Sequence, residues 1–257
     1  MKNFRDFFIN IFISLKRNLI FPILNTFLPN FCINCHCVLE FDGVGLCNKC
    51  DSSIIRIYKL NHCKICCSIF FVNEESLCVS CAEGFHDTIY FDRSLSCFSY
   101  VDEIQELIKI GKFQMRRSIW KYLSKELINL ILMEKLDDNY VIIPVPISKK
   151  RKRERGFNQS SIISKEIAKR FSMSLYLKAL KKVKNNKPQS EKSALERKNN
   201  PKNCYKVINK HLIENKRIIL VDDVFTTGST VNECSRLLKE SGAKEILVLT
   251  IAKRDFE

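Results

Sequence analysis

The feature that most constrains the fold is a segment near the C-terminus, Ile218–Thr230, which reads IILVDDVFTTGST. It begins with four apolar residues, whose length and bulk are typical of a buried strand in a parallel sheet. Asp222 and Asp223 follow, and the pattern places this acidic pair where the strand emerges into solvent. A loop of small, hydroxyl-bearing residues then leads into a predicted helix over 231–241, which ends at Gly242. A strand, a small-residue loop and a helix N-terminus in this order predict an anion-binding site.

The chemistry of this segment points to one ligand. The backbone N–H groups of the loop and the helix dipole both favour a phosphate, which the acidic pair would repel. The carboxylates must therefore face ribose hydroxyls or a Mg²⁺ ion held by a polyphosphate. Phosphoribosyl pyrophosphate (PRPP) carries a phosphate, two free hydroxyls and a metal-binding pyrophosphate on one sugar, so we predict that it binds here with Mg²⁺. Asp222 and Asp223 are the candidate catalytic residues. The candidate phosphate ligands are Thr226, Thr227, Gly228, Ser229 and Thr230.

The same segment resembles, position for position, the PRPP-binding signature of type I phosphoribosyltransferases. It is not a Walker A loop, since no Lys follows Gly228, and it lacks the GxGxxG pattern of a dinucleotide fold. Segments with an apolar run, two aspartates and small residues also occur as ordinary strand-to-helix turns. The length of the match favours PRPP over that alternative.

Two segments account for the formal net charge of +15. Residues 149–155 hold six basic residues and one acidic residue, and residues 178–217 hold thirteen and three. The first follows a predicted buried strand, 140–147, and precedes a predicted helix, so it lies at the strand edge where open parallel sheets bind ligands. It is either a site for the pyrophosphate of PRPP or a solvated surface; concentrated charge also suits nucleic acid. The candidate pyrophosphate ligands are Lys149, Lys150, Arg151 and Arg155.

Residues 184–203 are polar and basic, and Pro188 and Pro201 interrupt them. In an enzyme of this type such a stretch would be a lid that excludes water from the reacting centre. The composition equally allows an ordinary surface loop.

Eight of the thirteen cysteines form an internal repeat of a CxxC…CxxC unit, the second copy shifted by 31 residues. Two CxxC knuckles complete a tetrahedral S₄ shell, the usual structural zinc site, so we predict two structural Zn²⁺ ions. Sequential pairing is the simplest, and crossed pairing is left open. Disulfides would need an exported protein, which no signal peptide supports. The candidate ligands are Cys32, Cys35, Cys47, Cys50, Cys63, Cys66, Cys78 and Cys81.

The N-terminal residues 1–30 are apolar but interrupted by charges and prolines. They are predicted to form an amphipathic segment that packs on the body of the protein or lies on a membrane surface. No stretch of 18 apolar residues occurs, so we expect a cytoplasmic protein, at most peripheral at the inner face of the membrane and not an integral membrane protein. The predicted domains are the amphipathic segment (1–30), a double zinc-ribbon module (31–88) and a phosphoribosyltransferase-like domain (89–257).

Taken together, these features resemble the ComF family, the ComFC-type proteins associated with DNA uptake in naturally transformable bacteria. The resemblance runs from about Phe21 to Lys253 and includes the cysteine module and the 222–230 loop. The most family-specific run is ERGFNQ, residues 154–159. Further matching motifs are FDRSL at 91–95, PVPISKKR at 144–151, and Gln189, Leu195, Arg197, Asn200 and Tyr205.

The resemblance implies an α/β fold of the type I phosphoribosyltransferase kind, mainly a parallel sheet with flanking helices, and a role with cytoplasmic single-stranded DNA. Candidate protein partners are a DNA-uptake helicase and recombination proteins. The alternative is an active Mg²⁺-dependent phosphoribosyltransferase of nucleotide metabolism with an unidentified nitrogen acceptor. Purine salvage is disfavoured because Thr226 stands where those enzymes carry a carboxylate base, and Lys2 disfavours an amidotransferase that needs an N-terminal cysteine.

Overall fold

The structure, a computed structural model, describes residues 30–39, 45–69, 76–83, 89–183 and 204–254. The predicted N-terminal helix and the predicted lid at 184–203 lie outside the described residues. The chain divides into two compact units, residues 1–54 and 55–257, and the boundary falls between the two cysteine repeats. Across the described ranges, no helix has the length and apolar character needed to span a membrane.

The regular elements in these ranges are seven α-helices, seven strands and two short 3₁₀ turns. The helices are α1 (Asn48–Ser52), α2 (Val79–Ala82), α3 (Asp102–Phe113), α4 (Arg117–Met133), α5 (Lys149–Arg155), α6 (Gln159–Phe171) and α7 (Ser229–Lys239). The strands are β1 (Arg93–Ser99), β2 (Tyr140–Pro144), β3 (Ser174–Leu175), β4 (Leu180–Lys182), β5 (Tyr205–Val207), β6 (Arg217–Phe225) and β7 (Glu245–Lys253). The 3₁₀ turns are Ile57–Lys59 and Lys210–Leu212.

The first unit is a small fold around its cysteines. An antiparallel bridge pairs Phe31 with Val38, and the backbone N–H of Cys32 donates to the carbonyl of Cys37 at 2.8 Å. This tight turn brings the two cysteines of the first knuckle to one side. Helix α1 follows directly after Cys47 and carries the buried Cys50.

The second unit is built on a five-stranded parallel sheet with the strand order β1-β7-β6-β2-β3. On the central strand β6, Ile218 and Leu220 pack in one core cluster with Val231 and Leu238 of α7. Because side chains alternate along a strand, Ile219 faces the opposite side of the sheet, and it is also fully buried. Helix α6 contacts β2 and β6, and α4 contacts β1 and β7. The predicted parallel sheet with flanking helices is confirmed.

The sequence pattern predicts strands of the sheet near 140–146, 174–180, 204–208, 217–222 and 245–251, and not all of these segments lie in the observed sheet. The segment at 91–95 lies ahead of helix α3, as its motif implied, but it also leads into β1 at the sheet edge, a strand that was not predicted. The segment at 204–208, expected to be a strand of the main sheet, instead contains β5, which pairs antiparallel with β4 in a separate ribbon. The basic run 149–155, expected to be a loop, is helix α5.

The outer edge of β1 is covered by the chain around the second cysteine repeat. The backbone N–H of Ser94 donates to the carbonyl of Ile65 at 2.8 Å, and Arg56 forms an antiparallel bridge with Phe98. Ile65 lies within the Cys63–Cys66 knuckle and also packs against the core of the sheet. The second knuckle is therefore attached to the sheet by backbone hydrogen bonding as well as by packing.

Candidate functional site

The eight cysteines of the repeats form two groups, paired sequentially along the chain. Within each group the four Sγ atoms lie within 4.8 Å of one another. The Sγ atoms of Cys35 and Cys47 are 3.6 Å apart, and those of Cys66 and Cys78 are 3.5 Å apart. Four thiolates at about 2.3 Å from one zinc ion would stand roughly 3.8 Å from one another, so both groups fit a tetrahedral Zn²⁺ site. The groups are Cys32, Cys35, Cys47 and Cys50, and Cys63, Cys66, Cys78 and Cys81.

Hydrogen bonds inside these groups favour the thiolate form, which binds metal, at some cysteines, whereas burial and contacts with neighbouring thiols raise the pKa of Cys50, Cys66 and Cys81. The backbone N–H of Cys50 lowers the pKa of Cys47 to about 6. A hydrogen bond with the Cys66 thiol lowers the pKa of Cys63 to about 4. The backbone N–H of Cys47 also donates to Cys32 Sγ at 3.4 Å. Since four cysteines fill a tetrahedral shell and leave no position for substrate, the donor set suits structural zinc.

The acidic pair lies within β6 and not at its exposed end. Asp222 and Asp223 are both buried, and the strand continues as far as Phe225. The expectation that the pair emerges into solvent is therefore wrong. The reason is the neighbouring strand β7, which runs equally far and places Thr250 opposite Asp222.

Each carboxylate has specific partners. Asp222 Oδ1 accepts hydrogen bonds from the Ser160 hydroxyl at 3.0 Å and from the backbone N–H of Asp223 at 2.9 Å. Asp223 Oδ2 lies 2.6 Å from Lys112 Nζ and accepts from Gln159 Nε2 at 3.4 Å. Burial and the charge of Asp223 raise the pKa of Asp222 to about 7. A cation or a hydroxyl donor placed against the pair would favour its ionised form.

The loop after β6 is shaped for close approach to its backbone. Gly228 has a φ of +72°, and a Cβ there would lie 2.7 Å from Cζ of Phe225, so only glycine fits. Helix α7 begins at the next residue, Ser229, whose hydroxyl lies 2.7 Å from that of Thr227. Thr226 and Thr227 are exposed. The loop therefore offers exposed hydroxyls and the N-terminus of an eleven-residue helix, as an anion site requires.

The basic helix α5 lies at the same edge of the sheet. The backbone N–H of Val145, just after β2, donates to the carbonyl of Val221, which places the end of β2 beside the acidic pair. The side chain of Ser148 caps α5, and Gly156 ends it with a φ of +71°. Because α5 presents no apolar face, none of its residues is buried.

Of the predicted basic ligands, Arg155 is linked to the acidic pair through Gln159. Its Nη1 donates to Gln159 Oε1 at 3.3 Å, and Gln159 in turn donates to Asp223. Burial lowers the pKa of Arg155, and the charge of Asp223 opposes that shift. Lys149, Lys150 and Arg151 stay exposed on the helix surface.

Residues 157–160 (Phe-Asn-Gln-Ser) explain part of the family-specific ERGFNQ run. Asn158 Nδ2 donates to the carbonyl of Val145 at 3.0 Å, and its Oδ1 accepts from the backbone N–H of Ser160 as the N-cap of α6. Gln159 and Ser160 then contact Asp223 and Asp222. This run therefore holds the acidic pair in place.

The site also contains two lysines that no sequence motif predicts. Lys112, at the end of α3, pairs with Asp223, and no local pattern marked it. Lys182, on β4, donates to the Tyr205 hydroxyl at 2.8 Å. Burial and the nearby charge of Arg151 lower the pKa of Lys182, while Asp222 raises it. Its only sequence signal was membership of the basic segment 178–217.

Comparison with known protein families shows the class of protein to which this chain belongs. A family model described as the phosphoribosyl transferase domain matches residues 158–255, which contain α6, the acidic pair, the loop and α7. Together with the parallel sheet and its flanking helices, this match defines a protein of the type I phosphoribosyltransferase fold.

Proteins of similar sequence show the family of this chain. The chain is 30% identical over 227 residues to competence protein F of Haemophilus influenzae, which covers 86% of this chain and 96% of that protein. It is 26% identical over 232 residues to DNA utilization protein YhgH of Salmonella typhimurium, covering 88% and 98%. It is 30% identical over 156 residues to competence protein ComFC of Bacillus subtilis, covering 61% and 62%. The chain belongs to the ComF family, as its motifs indicated.

Proposed function

We propose that this protein binds PRPP with Mg²⁺ and acts on or with single-stranded DNA in the cytoplasm during DNA uptake. The observation that carries the PRPP part is a juxtaposition at one sheet edge. The buried pair Asp222 and Asp223 directly precedes a loop that opens α7, and the basic helix α5 stands beside them. Few ligands besides PRPP combine an anion for the loop, hydroxyls for the carboxylates and a second anion for the basic side.

In this proposal the ribose hydroxyls donate to Asp222 and Asp223, directly or through the metal. The backbone N–H groups and hydroxyls of residues 226–230 hold the 5′-phosphate. Lys149, Lys150, Arg151 and Arg155 contact the pyrophosphate. Mg²⁺ would neutralise charge on the pyrophosphate oxygens.

The zinc module belongs to the proposal as well. We propose that each Cys₄ group holds one structural Zn²⁺, and that residues 31–88 act as a metal-stabilised module that precedes the domain at 89–257 in the chain. The sulfur positions support this, because the four Sγ atoms of each group lie within 4.8 Å of one another, close enough to share one ion.

The DNA part is supported by charge and by the relatives. α5 exposes five basic side chains at the ligand-binding edge of the sheet, and such concentrated positive charge attracts a phosphate backbone. Relatives are named for competence and for DNA utilization. A DNA-uptake helicase and recombination proteins are the partners we propose, at a cytoplasmic location that includes the inner face of the membrane.

The second candidate is an active phosphoribosyltransferase with a nitrogen acceptor. The acidic pair itself favours it, since capture of a polyanion needs no buried carboxylates, and burying two of them costs free energy. Perturbed carboxylates of this kind are typical of catalytic sites.

Titration calorimetry tests the PRPP assignment. With Mg²⁺ present, PRPP should bind more tightly than ribose 5-phosphate or pyrophosphate alone, because only PRPP engages the loop, the pair and the basic helix together. Equal affinity for all three would overturn the assignment. Pyrophosphate release, followed with and without single-stranded DNA, then separates the two candidates: release with turnover favours the enzyme, and stable binding without release favours the DNA-handling protein.

A further inference from the structure

Two large apolar side chains stand exposed beside the site. Phe113, the last residue of α3, is 75% exposed, and Met115 is 57% exposed. The backbone at Met115 has a φ of +54°, which is unfavourable for a residue with a side chain. Neither side chain contributes to the core, so their presentation at the surface points to a role in recognition.

A glycine contact sets the direction of Phe113. The indole nitrogen of Trp120 donates to the carbonyl of Gly111 at 3.3 Å, and a Cβ on Gly111 would lie 3.0 Å from the buried indole ring. This close packing pins the last turn of α3 against α4. Successive helical residues point about 100° apart, so Lys112 reaches inward to Asp223 while Phe113 points to solvent.

The same loop lies against the end of the basic helix. Met115 Sδ lies 3.9 Å from the position of a Cβ on Gly156, the residue that ends α5. The guanidinium carbon of Arg117 lies 5.5 Å from the centre of the Phe157 ring. Phe113 thus stands in the chain between Lys112, which contacts the acidic pair, and Met115, which lies against the end of α5. The exposed Arg116 and Arg117 continue the positive surface.

We propose that Phe113 and Met115 form a stacking surface for unpaired bases of single-stranded DNA, whose phosphates contact α5, Arg116 and Arg117. This inference rests on the DNA part of the proposed function and names the surface that carries it. Aromatic side chains in a positively charged setting bind single strands, because every base offers a face for stacking and every phosphate a charge. Duplex DNA keeps its bases stacked inside and cannot use the aromatic side chain.

The surface also supplies an aromatic side chain beside the basic run 149–155. Within 149–155 there is no aromatic residue, so charge alone would bind any polyanion. The fold supplies the aromatic from α3, far away in sequence. The combination predicts a preference for strands with bases over strands without them.

The test compares an oligothymidylate with an abasic oligonucleotide of equal length and charge, using fluorescence anisotropy on the full chain. The protein should prefer the oligothymidylate. Phe113→Ala should weaken oligothymidylate binding about 5- to 100-fold and leave abasic binding and the salt dependence unchanged. Phe113→Trp should retain the affinity, and the emission of the added indole should change on binding.

Met133→Ala is the matched control, since Met133 is 60% exposed at the opposite end of α4. Equal binding of both oligonucleotides by the unmodified protein, or unchanged oligothymidylate affinity in Phe113→Ala, would overturn this inference and leave the DNA role standing on charge. Absence of any binding to single-stranded DNA would overturn the DNA role and this inference together. PRPP calorimetry on Phe113→Ala should match the unmodified protein, which separates both outcomes from a failure of the PRPP site.

Discussion

The ends of β6 and β2 are neighbours on one sheet, yet they carry opposite kinds of site. The β6 side is buried: its two carboxylates have protein partners, and its loop tolerates no side chain at Gly228. The β2 side is exposed: α5 has no buried residue and most of its charges face water. A buried site recognises a ligand by geometry, whereas an exposed helix attracts a polyanion by charge that salt screens.

This difference separates two properties, ligand specificity and the salt dependence of binding, which a single affinity measurement would combine. Changes on the β6 side should alter which small ligand binds and should depend little on salt. Changes on the β2 side should alter how salt affects polyanion binding and should depend little on the identity of the ligand. Four experiments test whether the two sides are independent, in order of decreasing expected effect.

The largest effect should come from replacing both buried carboxylates. Asp222→Asn with Asp223→Asn should leave folding intact and weaken PRPP binding by about 1–3 kcal/mol for each charged hydrogen bond lost. Calorimetry with Mg²⁺ measures it. Asp138→Asn, an exposed aspartate that also loses one charge, should bind PRPP normally. Unchanged PRPP affinity in the double variant would remove the acidic pair from the site.

The next effect concerns the charges of α5 and single-stranded DNA. If six phosphates are neutralised, the logarithm of the binding constant should fall with the logarithm of salt concentration with a slope of about −4. Replacing the first five residues of α5, all basic, with Gln should reduce the slope to about −1, and base preference should change less. Over a fourfold rise in salt, that difference amounts to roughly 60-fold in affinity.

The matched control for α5 changes five exposed basic residues on α4 and α6 to Gln: Lys121, Lys125, Lys165, Lys169 and Arg170. This variant has the same net charge, so it distinguishes a local contact from a general attraction. Equal slopes in the two variants would mean that α5 is not the DNA surface, and a slope near zero in the unmodified protein would move DNA binding to a partner protein.

A pair of glycines compares the two sides directly. Gly228 and Gly156 have nearly the same φ, +72° and +71°, but the first is crowded by Phe225 and the second meets only Met115 Sδ at 3.9 Å. Gly156→Ala should cost about 1 kcal/mol for the left-handed backbone alone, and Gly228→Ala about 2 kcal/mol or more because the loop must also shift. Urea denaturation gives both values. Equal losses would show that the loop around Gly228 adapts easily.

The smallest effect concerns pH and Asp222. Because its pKa is raised from 3.8 to about 7, the folded protein keeps a proton that the unfolded chain releases. The free energy of unfolding should therefore fall as pH rises from about 4 to about 7. Asp222→Asn should remove this contribution, so that the free energy of unfolding depends less on pH between about 4 and 7 and the gain over the unmodified protein is greatest at pH 8. A variant that is less stable than the unmodified protein at pH 8 would contradict the assignment.

Much of this site could be predicted because its signals are local. The apolar run, the acidic pair, the small-residue loop and the start of α7 stand within one short segment, 218–230, so their order along the chain specifies their arrangement in space. The cysteine spacing likewise specified the two sulfur groups. Within the segment 218–230, the depth of the carboxylates was misjudged, because burial depends on β7, which lies elsewhere in the sequence.

What sequence reasoning missed depends on distant partners. β1 contains Ser94 and Ser96, which do not read as core residues, yet Ser96 is buried because its hydroxyl pairs with that of Thr250 at 2.6 Å. α5 has no apolar stripe, so its caps alone define it as a helix. Lys112 and Asp223 are more than a hundred residues apart in the sequence, so no local pattern of residues could predict their contact.

The hydrogen bonds along β1 have a consequence for the handling of this protein. β1 is an outermost strand, and unpaired backbone groups at a sheet edge are a template for pairing with a second molecule. Here the cysteine-rich chain shields that edge, through Ile65 on Ser94 and the bridge from Arg56 to Phe98. If the second cysteine group holds zinc, as proposed, a chelator that loosens this knuckle would expose an unpaired strand edge, and aggregation of the protein would be the first visible sign.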